Sequence, residues 1–208
     1  TENYAATAID KTITLADADD TALTSARVII TSVVTGVFLA FTNNDSALYG
    51  NITATYTAGT GVLALSSSGS TATVAQWQTA LRAVTYSSTN DDPTVANTRN
   101  SRTVTWVVTD ANSDAVGAQT SVAVTSTVNL TAVNDKPVLV AGGLLAYTEN
   151  DAATAIDTQI QVSDVDDTRI TGGLVTITAV VAGDVLSFAD TSAITGSYNA
   201  NRGELTLS

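Results

Sequence analysis

Acidic side chains at recurring spacings are the residues of this chain best suited to chemistry. Alternating carboxylates that follow a predicted strand project from one side, and their charges repel unless a cation lies among them. Oxygen-only ligands on a flexible turn suit Ca²⁺, which takes six to eight oxygens at about 2.3–2.6 Å. We therefore predict calcium ligands in two equivalent groups, which are Asp17, Asp19 and Asp20, then Asp164, Asp166 and Asp167.

Two further groups carry oxygen ligands close to predicted strand ends. Asp110-x-Asn112-x-Asp114 lies on a turn and resembles the opening of a calcium loop, but it lacks the Gly and the distal Glu of an EF-hand. The linker residues Asn134 and Asp135 precede Pro137, which fixes φ and ends the strand there. An alternative stays open for all of these positions, because Asp and Asn also serve as turn residues that cap their own backbone.

An internal repeat favours metal binding over turn chemistry. Residues 148–177 match residues 1–30 at an offset of 147 (148 − 1), and the acidic residues persist while intervening ones change, as Ala18 does to Val165. Only three glutamates occur, and two of them, Glu2 and Glu149, share one repeat position. Turn chemistry alone would tolerate Ser or Gly at such positions. We therefore add both glutamates to the predicted ligands.

Composition removes several classes of function. The chain has 208 residues, a net charge of −12, and no Cys, His or Met. The missing Cys and His exclude a disulfide scaffold, a zinc or haem site and a Ser-His-Asp triad. The acidity argues against nucleic acid as a partner, and no apolar run approaches the roughly 20 residues needed for membrane insertion. We do not expect an enzyme, because the acidic groups cluster at predicted domain ends rather than in a cleft.

The repeat also predicts the domain organisation. We expect a first repeat over residues 1–136 and the opening part of a second over 137–208, whose later strands are missing from the given sequence. The first repeat begins without the leading strand that residues 137–147 give to the second. A chain that starts at Thr and contains no Met is expected to be a window on a longer tandem array.

Period-two alternation predicts strands, and one segment with helical spacing interrupts it. Val74, Trp77 and Leu81 follow a Thr73/Gln76 capping box, which predicts a short helix with Trp77 in the core. Gly, Asn, Asp and Ser cluster between the strands, as turns require. The fold class is therefore all-β, an antiparallel β-sandwich with one short helix per unit. The predicted strands are Lys11–Ala16, Arg27–Val34, Val37–Phe41, Val62–Ser66, Thr103–Thr109 and Gln119–Ala132.

Several motifs together resemble the bacterial cadherin-like repeats of large surface adhesins of the RTX or biofilm type. They are Thr-Glu-Asn-x-Ala-Ala-Thr-Ala-Ile-Asp, the following Asp-x-Asp-Asp-Thr, residues 73–86, Val-Val-Thr-Asp at 107–110 and residues 128–137. The resemblance implies a Greek-key sandwich of the cadherin type with calcium between domains. It implies that Asn134 and Asp135 join Asp164 and Asp166 around the ion, with Glu2 and Asp110 contributed by the first unit. The Asp-Arg-Glu motif of animal cadherins is absent, so their three-ion junction is not expected.

The function implied is a structural extender of a secreted or cell-surface bacterial adhesin, stiffened by Ca²⁺ at its junctions. Its partners would be neighbouring copies of the same repeat, and its location extracellular. One alternative is a subunit of a self-assembling extracellular fibre, in which strands of one copy complete the next, head to tail. Another is a glycan- or ice-binding module with a Thr-rich face, although no regular exposed Thr ladder is apparent.

Overall fold

The computed structural model describes residues 4–113 and 115–208. The chain divides into two compact units, one ending at Asn134 and the other running from Asp135 to Ser208. This division lies two residues before the boundary after residue 136 that the repeat predicts (136 − 134). None of the helices in the described ranges is long and apolar enough to cross a membrane.

The first unit contains two antiparallel sheets. One has five strands in the order β4-β5-β2-β7-β8, and the other has three in the order β1-β6-β3. Strands rich in Val, Ile, Leu and Thr suit these pleated, half-buried surfaces. The strands are β1 (Thr7–Ala8), β2 (Leu23–Ile30), β3 (Val37–Ala40), β4 (Ile52–Thr57), β5 (Val62–Ser67), β6 (Thr85–Ser88), β7 (Ser101–Asp110) and β8 (Val124–Asn129).

One buried cluster connects the two sheets. Val28 and Leu63 of the larger sheet and Leu39 and Tyr86 of the smaller sheet belong to the same core, together with both tryptophans. Alternate residues of each strand face this core, as expected of a β-sandwich. The predicted all-β, antiparallel architecture is confirmed, whereas the Greek-key and cadherin assignments stay predictions.

The predicted helix is present as α2 (Val74–Arg82), after the one-turn helix α1 (Ser46–Tyr49). Thr73 Oγ1 accepts the Gln76 N–H at 3.2 Å, and Gln76 Oε1 accepts the Thr73 N–H at 2.9 Å, which is the predicted capping box. Trp77 is fully buried and donates from Nε1 to the Leu23 carbonyl at 2.9 Å. The helix is therefore anchored to the start of β2 by its own core residue.

The prediction of a strand over Lys11–Ala16 is wrong. The side chains of Ile13 and Leu15 do pack against the core, but the segment forms no strand ladder within the described residues. Instead, the Leu15 N–H donates to Gln78 Oε1 at 2.9 Å, and Arg82 Nε donates to the Ile13 carbonyl at 2.7 Å. Side chains of α2 thus satisfy backbone groups that a neighbouring strand would otherwise satisfy.

The strand predicted over Gln119–Ala132 is shorter than expected. Its ladder with β7 begins at the Trp106/Val124 pair and ends at Ser101/Asn129. Before that, Ser121 interrupts the register, because its N–H binds the Val108 carbonyl while its Oγ accepts the Val108 N–H. The valine at position 122 consequently faces solvent, although the alternation predicts an inward side chain.

The second unit contains two smaller antiparallel sheets. Strand β9 (Val138–Val140) pairs with β10 (Gln161–Ser163), while β11 (Gly173–Thr176), β13 (Glu204–Leu207) and β12 (Gly196–Asn199) form a sheet in that order. The pairing reproduces the first unit at equivalent positions. Val175 opposes Leu205 just as Val28 opposes Leu63, and Tyr198 opposes Leu205 just as Tyr56 opposes Leu63.

Candidate metal centre

A tight loop before β2 positions two of the predicted ligands. Asp17 Oδ1 accepts the backbone N–H of Asp20 at 2.9 Å and that of Asp19 at 3.3 Å, so the loop folds around its first carboxylate. Asp20 is 7% exposed, although a carboxylate is rarely buried without partners. The loop therefore presents one carboxylate at its surface and one beneath it.

Strand pairing brings Asp110 to this loop. Asp110 is the last residue of β7 and lies opposite Leu23, the first residue of β2, which begins three residues after Asp20 (23 − 20). Its two oxygens accept the N–H groups of Asn112 at 3.1 Å and Gln119 at 2.9 Å. The turn after β7 thus orients the carboxylate with main-chain donors.

The result is a group of three carboxylates contributed by Asp17, Asp20 and Asp110. One oxygen from each lies within 4.8 Å of the other two, and within the described residues this is the one such acidic group. Three like charges at this separation repel one another, and a divalent cation among them would reverse that repulsion. The arrangement can hold a hard metal ion through oxygen ligands.

Hydrogen bonds orient the carboxylates of this centre. The Asp20 N–H, followed by the Asp19 N–H, holds the pKa of the Asp17 carboxyl below its ordinary value, because these bonds favour the charged form. Ser113 donates to Asp20 Oδ1 from its backbone nitrogen at 2.9 Å and also from its hydroxyl. Partial burial beside oriented donors is typical of a site that exposes little of its charge to water.

Sequence reasoning missed Ser113, which lies inside the motif Asp110-x-Asn112-x-Asp114 at a position to which the motif assigns no role. Its neighbour Asn112 acts as a turn residue, since its Oδ1 accepts the Gly117 N–H at 2.5 Å. Within the motif 110–114, Asp110 therefore supplies a carboxylate to the centre, Ser113 donates to Asp20, and Asn112 holds the turn. Asp114 and Glu2 lie outside the described residues.

The equivalent loop of the second unit has the same local geometry. Asp164 Oδ1 accepts the N–H groups of Asp166 and Asp167, both at 3.0 Å, as Asp17 does in the first unit. Asp166 Oδ2 also accepts the N–H of the linker residue Asp135 at 2.5 Å. The second unit thus brings the backbone of a linker residue to a loop carboxylate, while the ligand role that the resemblance implies for these residues stays a prediction.

The remaining predicted ligands are not gathered into the centre. Asp19 is exposed and outside the three-carboxylate group, and Asp167, Glu149 and Asn134 are also exposed. The resemblance implies a junction role for Asp110, and that role stays a prediction. Within its own unit, the β2/β7 pairing places Asp110 beside Asp17 and Asp20.

The comparisons with known proteins give no family. No protein-family model, no curated protein and no solved structure matches this chain. The assignment of this centre therefore rests on its own donor set, which consists of oxygens alone. Such a set suits Mg²⁺, Ca²⁺ or Mn²⁺ rather than the softer metals that prefer thiolate or imidazole.

Proposed function

We propose that this chain is part of a calcium-stiffened extender, built from tandem cadherin-like units in a secreted or cell-surface adhesin. The observation that carries the proposal is the convergence of Asp17, Asp20 and Asp110 at one end of the first unit. A partly buried set of carboxylates at a turn, whose ligand atoms are all oxygens, is the kind of site that Ca²⁺ prefers. The repeated loop supports a role that each unit performs in turn.

Each unit contains a different part of an equivalent site. The first contains the loop with the carboxylate from the end of β7, and the second contains the loop with its preceding linker. If each unit carries both parts, its ligands comprise the loop carboxylates and the aspartate at the end of β7. The linker then adds the side-chain amide of Asn134 and the carboxylate of Asp135. A cation bound there would connect the acidic loop of each unit to the linker that joins it to the preceding unit.

Calcium bound in this way would restrict the angle between successive units. Extracellular calcium modules bind with dissociation constants of roughly 10⁻⁴–10⁻³ M. At about one hundred times the dissociation constant, binding adds roughly 2.7 kcal/mol to stability. That is a large fraction of the total for a typical domain. The extender would be stiff in calcium-rich surroundings and flexible without it.

Small-angle X-ray scattering of the 208-residue chain tests this function. The distribution of molecular dimensions should be narrower in about 10 mM Ca²⁺ than in EDTA. The variant Asp166→Asn should show no such difference. Asp151→Asn is the matched control, because Asp151 is an exposed carboxylate of the second unit outside the loop. Identical scattering in both conditions for the unsubstituted chain would rule out a calcium-stiffened extender.

A second candidate function is a subunit of an extracellular fibre. It is favoured by the apolar side chains that the second unit leaves exposed, including Leu144 at 97% and Val185 at 70%. In a fibre, strands of the next copy would cover these side chains. Analytical ultracentrifugation separates the two functions, because a fibre subunit forms an open series of oligomers and an extender of this length does not.

A further inference from the structure

Two polar atoms inside the first unit have no hydrogen-bond partner within the described residues. They are the phenol oxygen of Tyr86 in β6 and the Nε atom of Arg102 in β7. Tyr86 is 8% exposed and Arg102 is 1% exposed, so neither group is hydrated as it would be at the surface. A buried polar group without a partner destabilises a fold, and each such group calls for a ligand, an ion or a water molecule that satisfies it.

The charge of Arg102 also lacks a counter-charge. Its Nη1 atom donates to the carbonyls of Arg99 at 2.8 Å and Ser101 at 3.0 Å, and its Nη2 atom donates to the Pro93 carbonyl at 2.5 Å. No carboxylate of the described residues forms an ion pair with it. Carbonyl groups satisfy hydrogen-bond donors, but a buried positive charge is costly unless a negative charge pairs with it. A negative charge at the unpaired Nε–H group would therefore be strongly favoured.

Two hydroxyl groups lie close to this guanidinium. Burial raises the pKa of Tyr86, while the charge of Arg102 and the hydroxyl of Ser88 both act to lower it, so the three groups are neighbours. The Ser88 oxygen accepts the Asn90 N–H at 3.2 Å, and it does not reach the phenol oxygen with hydrogen-bond geometry. The guanidinium and the two hydroxyl groups together offer three donors to one ligand.

A cavity beside these donors has room for such a ligand. Its volume is about 280 Å³, it lies between β1, β6 and β8, and both Tyr86 and Ser88 line it. Val128, which is opposite Arg102 in the ladder of β7 and β8, lines it as well. A water-sized ion needs only about 10–15 Å³. None of the lining residues is acidic, although the chain has a net charge of −12, so no carboxylate of the lining competes with an anion.

We propose that the Arg102 guanidinium, together with the hydroxyl groups of Tyr86 and Ser88, binds a small monovalent anion inside the first unit. A halide or a short carboxylate has this chemistry. The Nε–H and the two O–H groups donate to the anion, and its charge balances that of Arg102. A water molecule accepts the same hydrogen bonds but leaves the buried charge unbalanced.

This anion site is separate from the calcium centre. Arg102 is the second residue of β7 and Asp110 is its last, so the two sites lie towards opposite ends of one strand. Their ligands also carry opposite charges. The proposal therefore goes beyond the calcium-dependent function and does not rest on it.

Thermal unfolding of the 208-residue chain in EDTA, followed by tryptophan fluorescence, tests the site with sodium bromide and sodium formate as probes. At least one salt should raise the midpoint of the unsubstituted chain by about 2–4 °C more than that of Tyr86→Phe, which loses only the unpaired oxygen. General effects of salt act on both chains and cancel in this comparison. A larger response to bromide identifies a halide site, and a larger response to formate identifies a carboxylate site.

Tyr49→Phe is the matched control. Tyr49 packs edge-on against Phe41, with ring centroids 5.2 Å apart, and it does not line the cavity. It should respond to both salts as the unsubstituted chain does. Ser88→Ala, which removes a second hydroxyl donor, should weaken the apparent affinity for the anion several-fold.

A variant at the charged group completes the test. Arg102→Gln should abolish the response to both salts, because it removes the charge that the anion balances. Both tryptophans lie in the first unit, so their fluorescence reports whether each variant is folded before salt is added. If Arg102→Gln does not fold, Tyr86→Phe and Ser88→Ala still decide the proposal.

Two results would overturn the proposal. The first is an equal response of the unsubstituted chain and Tyr86→Phe to both salts, which would mean that water alone satisfies the buried groups. The second is a loss of response in Tyr49→Phe as large as that in Tyr86→Phe, which would mean that the response reports packing rather than a site. Because every measurement is made in EDTA, neither result bears on the calcium centre.

Discussion

The two units contain the same local structures but bury them differently. Their loops close by the same hydrogen bonds at Asp17 and Asp164, and their strands pair in the same register. Yet Val28 is fully buried, whereas its equivalent Val175 is 38% exposed. Likewise Leu23 is 1% exposed and its equivalent Ile170 is 46% exposed.

The difference lies in partners that are distant in sequence. In the first unit β2 pairs with β5 on one side and β7 on the other, and Trp77 of α2 binds the start of the strand. In the described part of the second unit, β11 pairs with β13 alone. Turns and hairpin registers therefore follow from short stretches of sequence, whereas a closed core requires β7, β8 and α2.

The largest expected effect comes from removing a core side chain where the two units differ most. Leu23→Ala should destabilise the first unit by about 2–5 kcal/mol, because it leaves a cavity in a packed core. The matched change Ile170→Ala, at a half-exposed equivalent position, should cost below about 1 kcal/mol. Urea unfolding followed by circular dichroism and tryptophan fluorescence measures both. Equal losses would mean that the second unit is as well packed as the first.

A smaller effect is expected at α2, the helix whose Trp77 lies in the core of the first unit. Thr73→Ala breaks the capping box of α2 and should cost about 1 kcal/mol, because the hydroxyl no longer accepts the Gln76 N–H. The urea midpoint of the tryptophan signal reports this change through Trp77. Thr79→Ala serves as the control, as Thr79 lies within the same helix and outside the cap. A loss at Thr79 as large as that at Thr73 would refute the capping argument.

The smallest effect concerns pH and the equivalent residues Asp10 and Asp157. Thr12 and then Ser126 lower the pKa of Asp10, and the N–H groups of Gly142, Gln159 and Gly143 lower that of Asp157. A lowered pKa in the folded state gives stability that is present above the unfolded value of about 3.9 and is lost as pH falls through the folded value. Since Asp10 is only partly buried, its contribution to the free energy of unfolding should stay below about 1 kcal/mol.

The variant Asp10→Asn sharpens this contrast. Asp10 Oδ2 accepts the hydroxyl of Ser126 in β8, and that hydroxyl accepts from Trp106 Nε1. Among the described residues, the hydrogen bonds to the Asp157 carboxylate come from backbone N–H groups alone. We expect Asp10→Asn to lower the urea midpoint of the tryptophan signal at pH 7, and we expect its difference from the unsubstituted chain to shrink as pH falls below the unfolded value of about 3.9. Asp157→Asn should leave that signal unchanged throughout the same pH range. A constant difference for Asp10→Asn across this range would exclude a contribution from its ionisation.

Sequence patterns predicted the features that depend on few residues. The capping box of α2, the buried position of Trp77 and the antiparallel character of the sheets all follow from local spacing, and the structure confirms them. The repeat also singles out the loop aspartates as candidate ligands. Two of them, Asp17 and Asp20, meet Asp110 as close neighbours.

Other features depend on contacts that no local pattern encodes. The alternation at Lys11–Ala16 predicts a strand, but Gln78 and Arg82 of α2 bind its backbone instead. Ser113 had no signal beyond its place between two polar residues, and only the pairing of β2 with β7 brings it to Asp20. The short helix α1 was also missed, because four residues are too few to show a period.

The most direct test of the central claim is the thermal unfolding of the chain in EDTA and in millimolar Ca²⁺, followed by tryptophan fluorescence. The carboxylate centre predicts that calcium, more than Mg²⁺ at equal ionic strength, raises the midpoint by roughly 10 °C at saturation. Asp20→Asn and Asp110→Asn should each abolish that rise, while Asp19→Asn, in the same loop and outside the centre, should retain it. An unchanged midpoint in the unsubstituted chain, or an equal loss in Asp19→Asn, would contradict a calcium site at Asp17, Asp20 and Asp110.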